Sequence, residues 1–218
     1  IAMNSQLTTD YDAIVIGAGF AGVSLIHYLR EVGLSVQVFD RASDIGGTWA
    51  WNKYPGAATD SEGYYYCLSF SEEVLQEWRW SKRYPGWQET QQYLKFVSDK
   101  FNMWPHIQFN TEITSAEYIA KDNIWKITSE DGKSYTCRYF ISGMGMISQP
   151  QMPTIAGTDS FNGPIFHSSR WPEGLEYAGK RVGIIGAGAT TVQMLPVVAE
   201  TAEQVTVFQR TPNFVMPA

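Results

Sequence analysis

Apolar residues near the start of the chain first form a short run and then recur at helical spacing. Residues 13–16 are all apolar, which is typical of a buried parallel strand, and a glycine-rich turn follows at once. Over residues 21–31 the apolar positions predict a helix, which Gly33 ends. Residues 36–39 are the next predicted strand, followed by Asp40. The pattern predicts a strand–turn–helix–strand unit.

The same pattern recurs over residues 181–210, with strands predicted over 181–185 and 205–208 and a helix over 189–200. The distance from the first glycine of the turn to the end of the second strand is 22 residues in both copies, from Gly17 to Phe39 and from Gly186 to Phe208. A glycine turn that follows a strand and opens a helix is typical of dinucleotide binding. The sequence therefore predicts an α/β fold with two Rossmann-like dinucleotide-binding domains.

The turns themselves carry the chemistry of diphosphate binding. The first glycine permits the tight turn, the second lets the backbone approach a pyrophosphate, and the third allows the helix to pack closely on the strand. In the first copy these glycines are Gly17, Gly19 and Gly22. The second copy has Gly186 and Gly188, but Thr191 replaces the third glycine. This replacement predicts a wider contact between helix and strand in the second copy.

The residue after the second strand distinguishes the two copies. Asp40 lies at the distance where a carboxylate accepts hydrogen bonds from a ribose 2′-hydroxyl, whereas the equivalent residue of the second copy is Gln209. Gln209 would not repel a 2′-phosphate, and Arg210 can pair with one. Because Arg41 occupies the position of the first copy that matches Arg210, the arginine alone decides little. The loss of the acid is the better evidence for NADP in the second copy. We predict FAD in the first copy and NADP, rather than NAD, in the second.

The region between the copies changes from helical to strand patterning. Helices are predicted over 71–78, where Ser71 is a capping residue, and over 90–101. Residues 113–141 alternate as three strands joined by tight turns, which predicts a β-meander inserted in the first domain.

A proline-rich stretch divides the chain into two domains. We predict an FAD-binding domain over 1–147, an interdomain linker over 148–172, and the start of an NADP-binding domain over 173–218. One strand–helix–strand unit cannot make a whole NADP domain, so the second domain is expected to be incomplete.

Charge, hydropathy and cysteine content limit the partners and the location that the sequence allows. A net charge of −6 disfavours nucleic-acid and anionic-membrane partners, and no apolar run is long enough to span a membrane. Asp10 and Asp12, instead of basic residues, precede the first apolar run, unlike a signal peptide. Cys67 and Cys137 lack metal-like spacing and are expected to be free thiols, with a disulfide as the alternative. These features predict a cytoplasmic protein without a metal site.

Three segments resemble one enzyme family. Residues 46–60 run from Gly-Gly-x-Trp through Tyr-Pro-Gly to Asp, and residues 161–172 read Phe-x-Gly-x-x-x-His-x-x-x-Trp-Pro. Residues 207–212 resemble a segment that holds the 2′-phosphate of NADP. Together with the two turns, these segments resemble type I Baeyer–Villiger monooxygenases, which are class B flavoprotein monooxygenases. Heteroatom-oxidising relatives share the turns but usually lack the tryptophan of segment 161–172.

The resemblance implies both a reaction and a set of cofactor-binding residues. NADPH would reduce FAD, and O2 would form a C4a-peroxyflavin that inserts one oxygen atom next to a ketone carbonyl to give an ester or lactone. The residues implied for FAD are Gly17, Gly19, Gly22, Asp40, Thr48, Trp49, Asp60 and Tyr66. Those implied for NADP are Gly186, Gly188, Thr190, Gln193, Arg210 and Thr211.

The resemblance also implies roles outside cofactor binding. Asp60 would be the catalytic residue that orients an active-site arginine, and the alternative is a loop acid in an Asx-turn. The signature residues Phe161, Gly163, His167 and Trp171 would couple NADP binding to domain movement. A catalytic-base role for His167 is a further possibility, against a histidine held by the backbone of a linker.

The family's chains are more than twice as long as these 218 residues, and the arginine lies beyond residue 218. The expected partners are therefore the ketone, O2 and the remaining C-terminal part of the protein, missing here or present as a separate chain. The 218 residues alone are expected to show no oxygenation. The alternatives are a heteroatom-oxidising flavin monooxygenase and a non-catalytic nucleotide-binding fragment.

Overall fold

The computed structural model describes residues 8–215, which divide into two compact units. The first unit comprises residues up to Ala50, Leu68–Trp78 and Gln91–Ser148. The second comprises Trp51–Cys67, Arg79–Thr90 and the chain from Gln149 onwards. The passage from the first unit to the second after Ser148 lies at the predicted start of the linker. The segments 51–67 and 79–90, which precede that point in sequence, also group with the second unit.

One six-stranded sheet organises the first unit, in the order β3-β2-β1-β6-β5-β4. The strands are β1 Tyr11–Ile16, β2 Val36–Phe39, β3 Ile107–Gln108, β4 Ile113–Ile119, β5 Ile124–Ser129 and β6 Ser134–Ser142. The pairs β1–β2, β1–β6 and β2–β3 are parallel, and β4–β5 and β5–β6 are antiparallel. The predicted meander therefore exists, and its last strand continues the parallel part of the sheet.

The core of the first unit comes from the apolar runs read in the sequence. All four residues of β2 are buried, and one cluster joins Ile14 and Phe39 to Ile127 and Cys137 of the meander. Because these side chains form one cluster, the meander contributes to the same core as the nucleotide-type strands. The meander thus packs as part of the unit that carries the first glycine turn.

The chain has five α-helices in its described part, and their ends agree with local sequence signals. The helices are α1 Phe20–Glu31, α2 Thr48–Trp51, α3 Glu72–Glu77, α4 Trp87–Lys100 and α5 Ala189–Ala199. The Ser71 hydroxyl accepts a hydrogen bond from the Val74 N–H at 3.3 Å, which confirms its predicted role as the cap of α3. None of the helices within residues 8–215 is long and apolar enough to cross a membrane.

The second unit contains a two-stranded parallel sheet of β7 Arg181–Ile185 and β8 Gln204–Phe208, connected by α5. Its core cluster contains Ile184, Met194 and Val198 of this strand–helix unit together with Tyr54 and Ala57. This shared core explains why the segment 51–67 groups with the second unit although it lies early in the sequence.

Candidate dinucleotide-binding sites

The first glycine turn is closed so tightly that Gly17 and Gly22 cannot carry side chains. A Cβ added to Gly22 would lie 2.0 Å from the carbonyl oxygen of Gly17, and Gly17 itself has a φ of +107°. The Cβ of a residue in place of Gly17 would lie 2.6 Å from the carbonyl oxygen of Gly143, which follows β6. The turn therefore brings the start of α1 directly against the strand ends, as the close-packing role of a third glycine requires.

A second pair of glycines lies against this turn. Gly46 and Gly47 both have positive φ, and a Cβ on Gly47 would lie 2.9 Å from the Cα of Gly19. The Gly46 N–H also donates to the Ala18 carbonyl at 3.0 Å. Among the described residues no side chain caps the N-terminus of α1, which begins after Gly19. An uncapped helix start beside open backbone is the arrangement that receives a diphosphate.

Asp40 is buried at the end of β2 and bonds to the backbone of the turn. One carboxylate oxygen accepts the Ala18 N–H at 2.6 Å, and the other accepts the Ala42 N–H at 2.8 Å. The carboxylate thus connects the strand end to the glycine turn. Each oxygen retains acceptor capacity, because a carboxylate offers about four lone-pair sites.

The second turn is more open than the first. Gly186 has a φ of +109°, and no described atom would lie within 4 Å of a Cβ at Gly186 or Gly188. Thr191, at the position equivalent to Gly22, donates from its hydroxyl to the Gly186 carbonyl at 2.9 Å. Thr191 thus carries a side chain at the position where an added Cβ in the first copy would meet the backbone of its own turn. No described side chain caps the start of α5.

The segment after β8 is exposed to solvent. Gln209, Arg210 and Thr211 are all exposed, so the guanidinium of Arg210 is accessible to an anion. The Asn213 side-chain amide donates to the Ala187 carbonyl at 2.9 Å, which connects this segment to the second turn. The predicted 2′-phosphate residues thus follow the strand that pairs with β7 and lie in the same unit as the turn.

The loop that ends in Asp60 packs on α5 of the second unit. Tyr54 is buried and donates from its hydroxyl to the Gln193 side-chain oxygen at 2.7 Å. Burial raises the pKa of Tyr54, the Thr190 hydroxyl hydrogen-bonded to it opposes the shift, and the charge of Asp60 adds to it. Burial, with a smaller contribution from the same carboxylate, also raises the pKa of Tyr66. The exposed Asp60 therefore lies within electrostatic reach of both phenols.

The signature segment 161–172 contributes to the core of the second unit through its last aromatic residue. Trp171 packs against the cluster that contains Tyr54 and Met194. His167 accepts the Ser169 N–H at its Nδ1 atom at 3.1 Å, which caps the short 3-10 helix Ser168–Arg170. This contact agrees with the alternative in which His167 is held by the backbone and is not a catalytic base. Phe161, at the other end of the segment, is exposed.

The structure brings some predicted site residues together and separates others between the units. Thr48 is exposed and Trp49 is buried, and both belong to the first unit with Gly17, Gly19, Gly22 and Asp40. Asp60 and Tyr66 belong to the second unit with Thr190 and Gln193. In residues 8–215, no cluster of three or more His, Cys, Asp or Glu side chains is arranged to hold a metal ion.

Two contacts of these sites were not anticipated from the sequence. The Arg170 guanidinium lies 4.0 Å from the centre of the Trp51 ring, a cation–π geometry within the second unit. Gly56 contacts the backbone of α5, and its Cβ would lie 2.3 Å from the Gln193 carbonyl oxygen. The Tyr-Pro-Gly motif contained the signal for the second contact, since its glycine permits a positive φ.

Comparisons with known proteins extend over almost the whole chain. The profile of a family described as flavin-binding monooxygenase-like matches residues 12–218. The cyclohexanone 1,2-monooxygenase of Acinetobacter sp is 44% identical over 209 residues, which are 95% of this chain and 38% of that protein. The phenazine N-monooxygenase PhzNO1 of Lysobacter antibioticus is 44% identical over 211 residues, 96% of this chain and 39% of that protein.

A solved structure agrees with the fold. The crystal structure of cyclohexanone monooxygenase from Rhodococcus sp. Phi1 bound to NADP+ matches with a TM-score of 0.91 and 42% identity, over 95% of this chain and 39% of that chain. The chain thus spans about two fifths of the length of the relatives it matches.

Proposed function

Because this chain belongs to the flavin-binding monooxygenase-like family, we propose that the complete protein is an NADPH-dependent Baeyer–Villiger monooxygenase. It inserts one oxygen atom of O2 next to a ketone carbonyl and gives an ester or a lactone. The observation that carries this proposal is segment 161–172, which contains the tryptophan that heteroatom-oxidising relatives usually lack. The repeated glycine turn supports the two cofactors, because Asp40 of the first copy is replaced by Gln209 in the second.

The first unit fits the adenine-dinucleotide part of FAD. Its turn presents an uncapped helix start, and glycine backbone lies where a side chain would obstruct a diphosphate. Asp40 bonds to the backbone of the turn and is proposed to accept hydrogen bonds from a ribose. The residues proposed to hold FAD are Gly17, Gly19, Gly22, Asp40, Thr48 and Trp49, with Asp60 and Tyr66 from the second unit.

The second unit fits NADP. Its turn is uncapped and open, and the exposed Arg210 and Thr211 can take a 2′-phosphate that a carboxylate would repel. The residues proposed to contact the dinucleotide are Gly186, Gly188, Thr190, Arg210 and Thr211, while Gln193 lies one turn further along α5. When bound, NADPH supplies a hydride and FAD supplies the activation of O2.

The chain's own residues prepare the site for this chemistry. Burial raises the pKa values of the Tyr54 and Tyr66 phenols, and the negative charge of Asp60 adds to both shifts. We propose that Asp60 orients an arginine supplied by the rest of the protein. Segment 161–172, with His167 as a local cap and Trp171 packed against the core of the second unit, is proposed to couple NADP binding to domain movement.

The test is a product analysis with the complete protein. Purified protein containing FAD is supplied with NADPH, 18O2 and a cyclic ketone, and the lactone is examined by mass spectrometry. One 18O atom per lactone, with NADPH preferred over NADH, is the expected result. Consumption of NADPH without a labelled lactone or ester across a panel of cyclic and linear ketones would refute the proposal.

A heteroatom oxidation is the second candidate, because the phenazine N-monooxygenase is as similar in sequence as the cyclohexanone enzyme. The same assay therefore includes an aromatic N-heterocycle and a sulfide beside the ketones. Labelled N-oxide or sulfoxide in excess of lactone would favour this second function.

A further inference from the structure

The loop that carries Asp60 meets α5 backbone to backbone. Gly56 has a φ of +77°, and any Cβ there would lie 2.3 Å from the Gln193 carbonyl oxygen and 3.1 Å from a Val197 methyl carbon. A side chain at this position would therefore strike the helix. The contact places the loop against one particular turn of α5, which also carries the side chain of Gln193.

The Gln193 side chain binds the same loop with both of its polar atoms. Its Nε2 donates to the Ala58 carbonyl at 2.9 Å. Its Oε1 accepts the Tyr54 hydroxyl at 2.7 Å and the Ala58 N–H at 3.3 Å. The amide thus pairs with the backbone of Ala58 as a neighbouring peptide group would, and Tyr54 adds a third bond.

The loop is also held by packing and charge. The buried ring of Tyr54 shares a core cluster with Met194 of α5, and its hydroxyl is hydrogen-bonded to Thr190. Asp60 follows Ala58 by two residues, and its charge reaches the Tyr54 hydroxyl. The position of the carboxylate is therefore linked to α5 over a very short stretch of chain.

We infer that Gln193 is a positioning residue that fixes the loop 54–60, and with it Asp60, on the helix whose N-terminus faces the second glycine turn. Because both polar atoms of its side chain bond to the loop, Gln193 is inferred to act through Ala58 and Tyr54, in place of the NADP contact that the resemblance implies for it. This inference rests on the proposed function for the meaning of Asp60. Through Gln193, the Asp60 carboxylate keeps its position relative to the second glycine turn. The loop and the turn are both attached to α5.

The first test measures the loop directly in the complete protein. Gln193→Met keeps the length of the side chain and removes the three hydrogen bonds, and Gln204→Met makes the same change at an exposed residue of β8. In hydrogen–deuterium exchange, Gln193→Met is expected to lower the protection of residues 54–60 at least tenfold, while β7 and β8 exchange as in the wild type. Unchanged protection of residues 54–60 would overturn the inference, whatever reaction the protein catalyses.

The second test separates positioning from binding. In Gln193→Met we expect the Kd for NADP+ to stay within about threefold of the wild type. Product formed per NADPH consumed should fall, and kcat for product should drop about 10- to 100-fold, since small misplacements in an active site cost this much. Gln204→Met should match the wild type in both measurements. A large rise in Kd without loss of kcat would mean that Gln193 contacts the dinucleotide, which overturns the inference.

Gln193→Glu gives a signature that a general loss of stability would not give. The introduced carboxylate cannot donate to the Ala58 carbonyl, but the protonated acid can. Relative to the wild type at each pH, coupling of NADPH consumption to product is expected to recover as the pH falls. A pH-independent defect would count against the hydrogen-bond role. If the wild type forms no oxygenated product, the proposed function fails, and the exchange experiment still decides the role of Gln193.

Discussion

Gly22→Ala tests the tight contact in the first turn, because its cost can be worked out from the structure. The added Cβ would lie 2.0 Å from the Gly17 carbonyl oxygen, whereas atoms in normal contact are separated by about 3.5 Å. The obstruction is backbone, so a rotamer change cannot relieve it. Overpacking costs about 1–3 kcal/mol where side chains can move, and we expect at least about 3 kcal/mol here.

Gly33→Ala is the matched control for this substitution. Gly33 has a φ of +76° and no described atom within 4 Å of an added Cβ, so only the left-handed backbone is penalised, at about 1–2 kcal/mol. Both variants of the complete protein would be unfolded in urea without cofactor, and their bound FAD would be measured after purification. Gly22→Ala should be less stable than Gly33→Ala by about 1–2 kcal/mol or more. It should also retain little FAD after purification. Equal stability and equal FAD content in the two variants would refute the reasoning.

Four further predictions concern other parts of the chain. Arg210→Ala should reduce the preference for NADPH over NADH, measured as the ratio of their kcat/KM values, about 10- to 100-fold. This is the effect of losing a charge-assisted hydrogen bond of about 1.5–3 kcal/mol. An unchanged ratio would exclude the contact between Arg210 and the 2′-phosphate. Burial raises the pKa of the Cys137 thiol to about 11 from 9.0. At pH 8, iodoacetamide should therefore label the half-buried Cys67 but not Cys137 until the protein unfolds. Peptide mass spectrometry measures this labelling. Between pH 9 and 11 the folded state keeps this proton while the unfolded state loses it, so the Cys137 contribution to stability should decline over that interval. The urea midpoint of Cys137→Ala should therefore decline less than that of the wild type between pH 9 and 11. Ser71→Ala should cost about 1 kcal/mol by removing the cap of α3, and retention of stability by Ser71→Asp would confirm the hydrogen-bond role.

Local patterns predicted the repeated units well. The strands over 36–39 and 181–185 were predicted with the ends that the structure has, and α5 differs from its prediction by one residue. These elements are short, apolar and bounded by glycine turns, so their signals lie within a few neighbouring residues. The short helix α2 was not predicted, because its residues Thr48–Trp51 are too few to show a helical period.

Contacts between segments that are distant in sequence could not be predicted from local patterns. The sequence showed three antiparallel strands over 113–141, but only the structure showed that β6 pairs in parallel with β1. The predicted linker began where the chain passes to the second unit, yet segment 51–67 joined that unit through Tyr54 and Ala57. Such choices depend on which apolar faces meet, and a linear pattern contains no record of that.

The sequence by itself determined the repeated strand–turn–helix–strand unit, the difference between Asp40 and Gln209 after its second strand, and the family. Spacing, glycine positions and the change from Asp40 to Gln209 are local features, because the chemistry of a turn depends on a few adjacent residues. Only the tertiary structure decided that Asp60 belongs with α5 and that Gln193 binds the loop carrying it. Those contacts join residues more than 130 positions apart, and packing of Tyr54 and Gly56 against the helix brings them together.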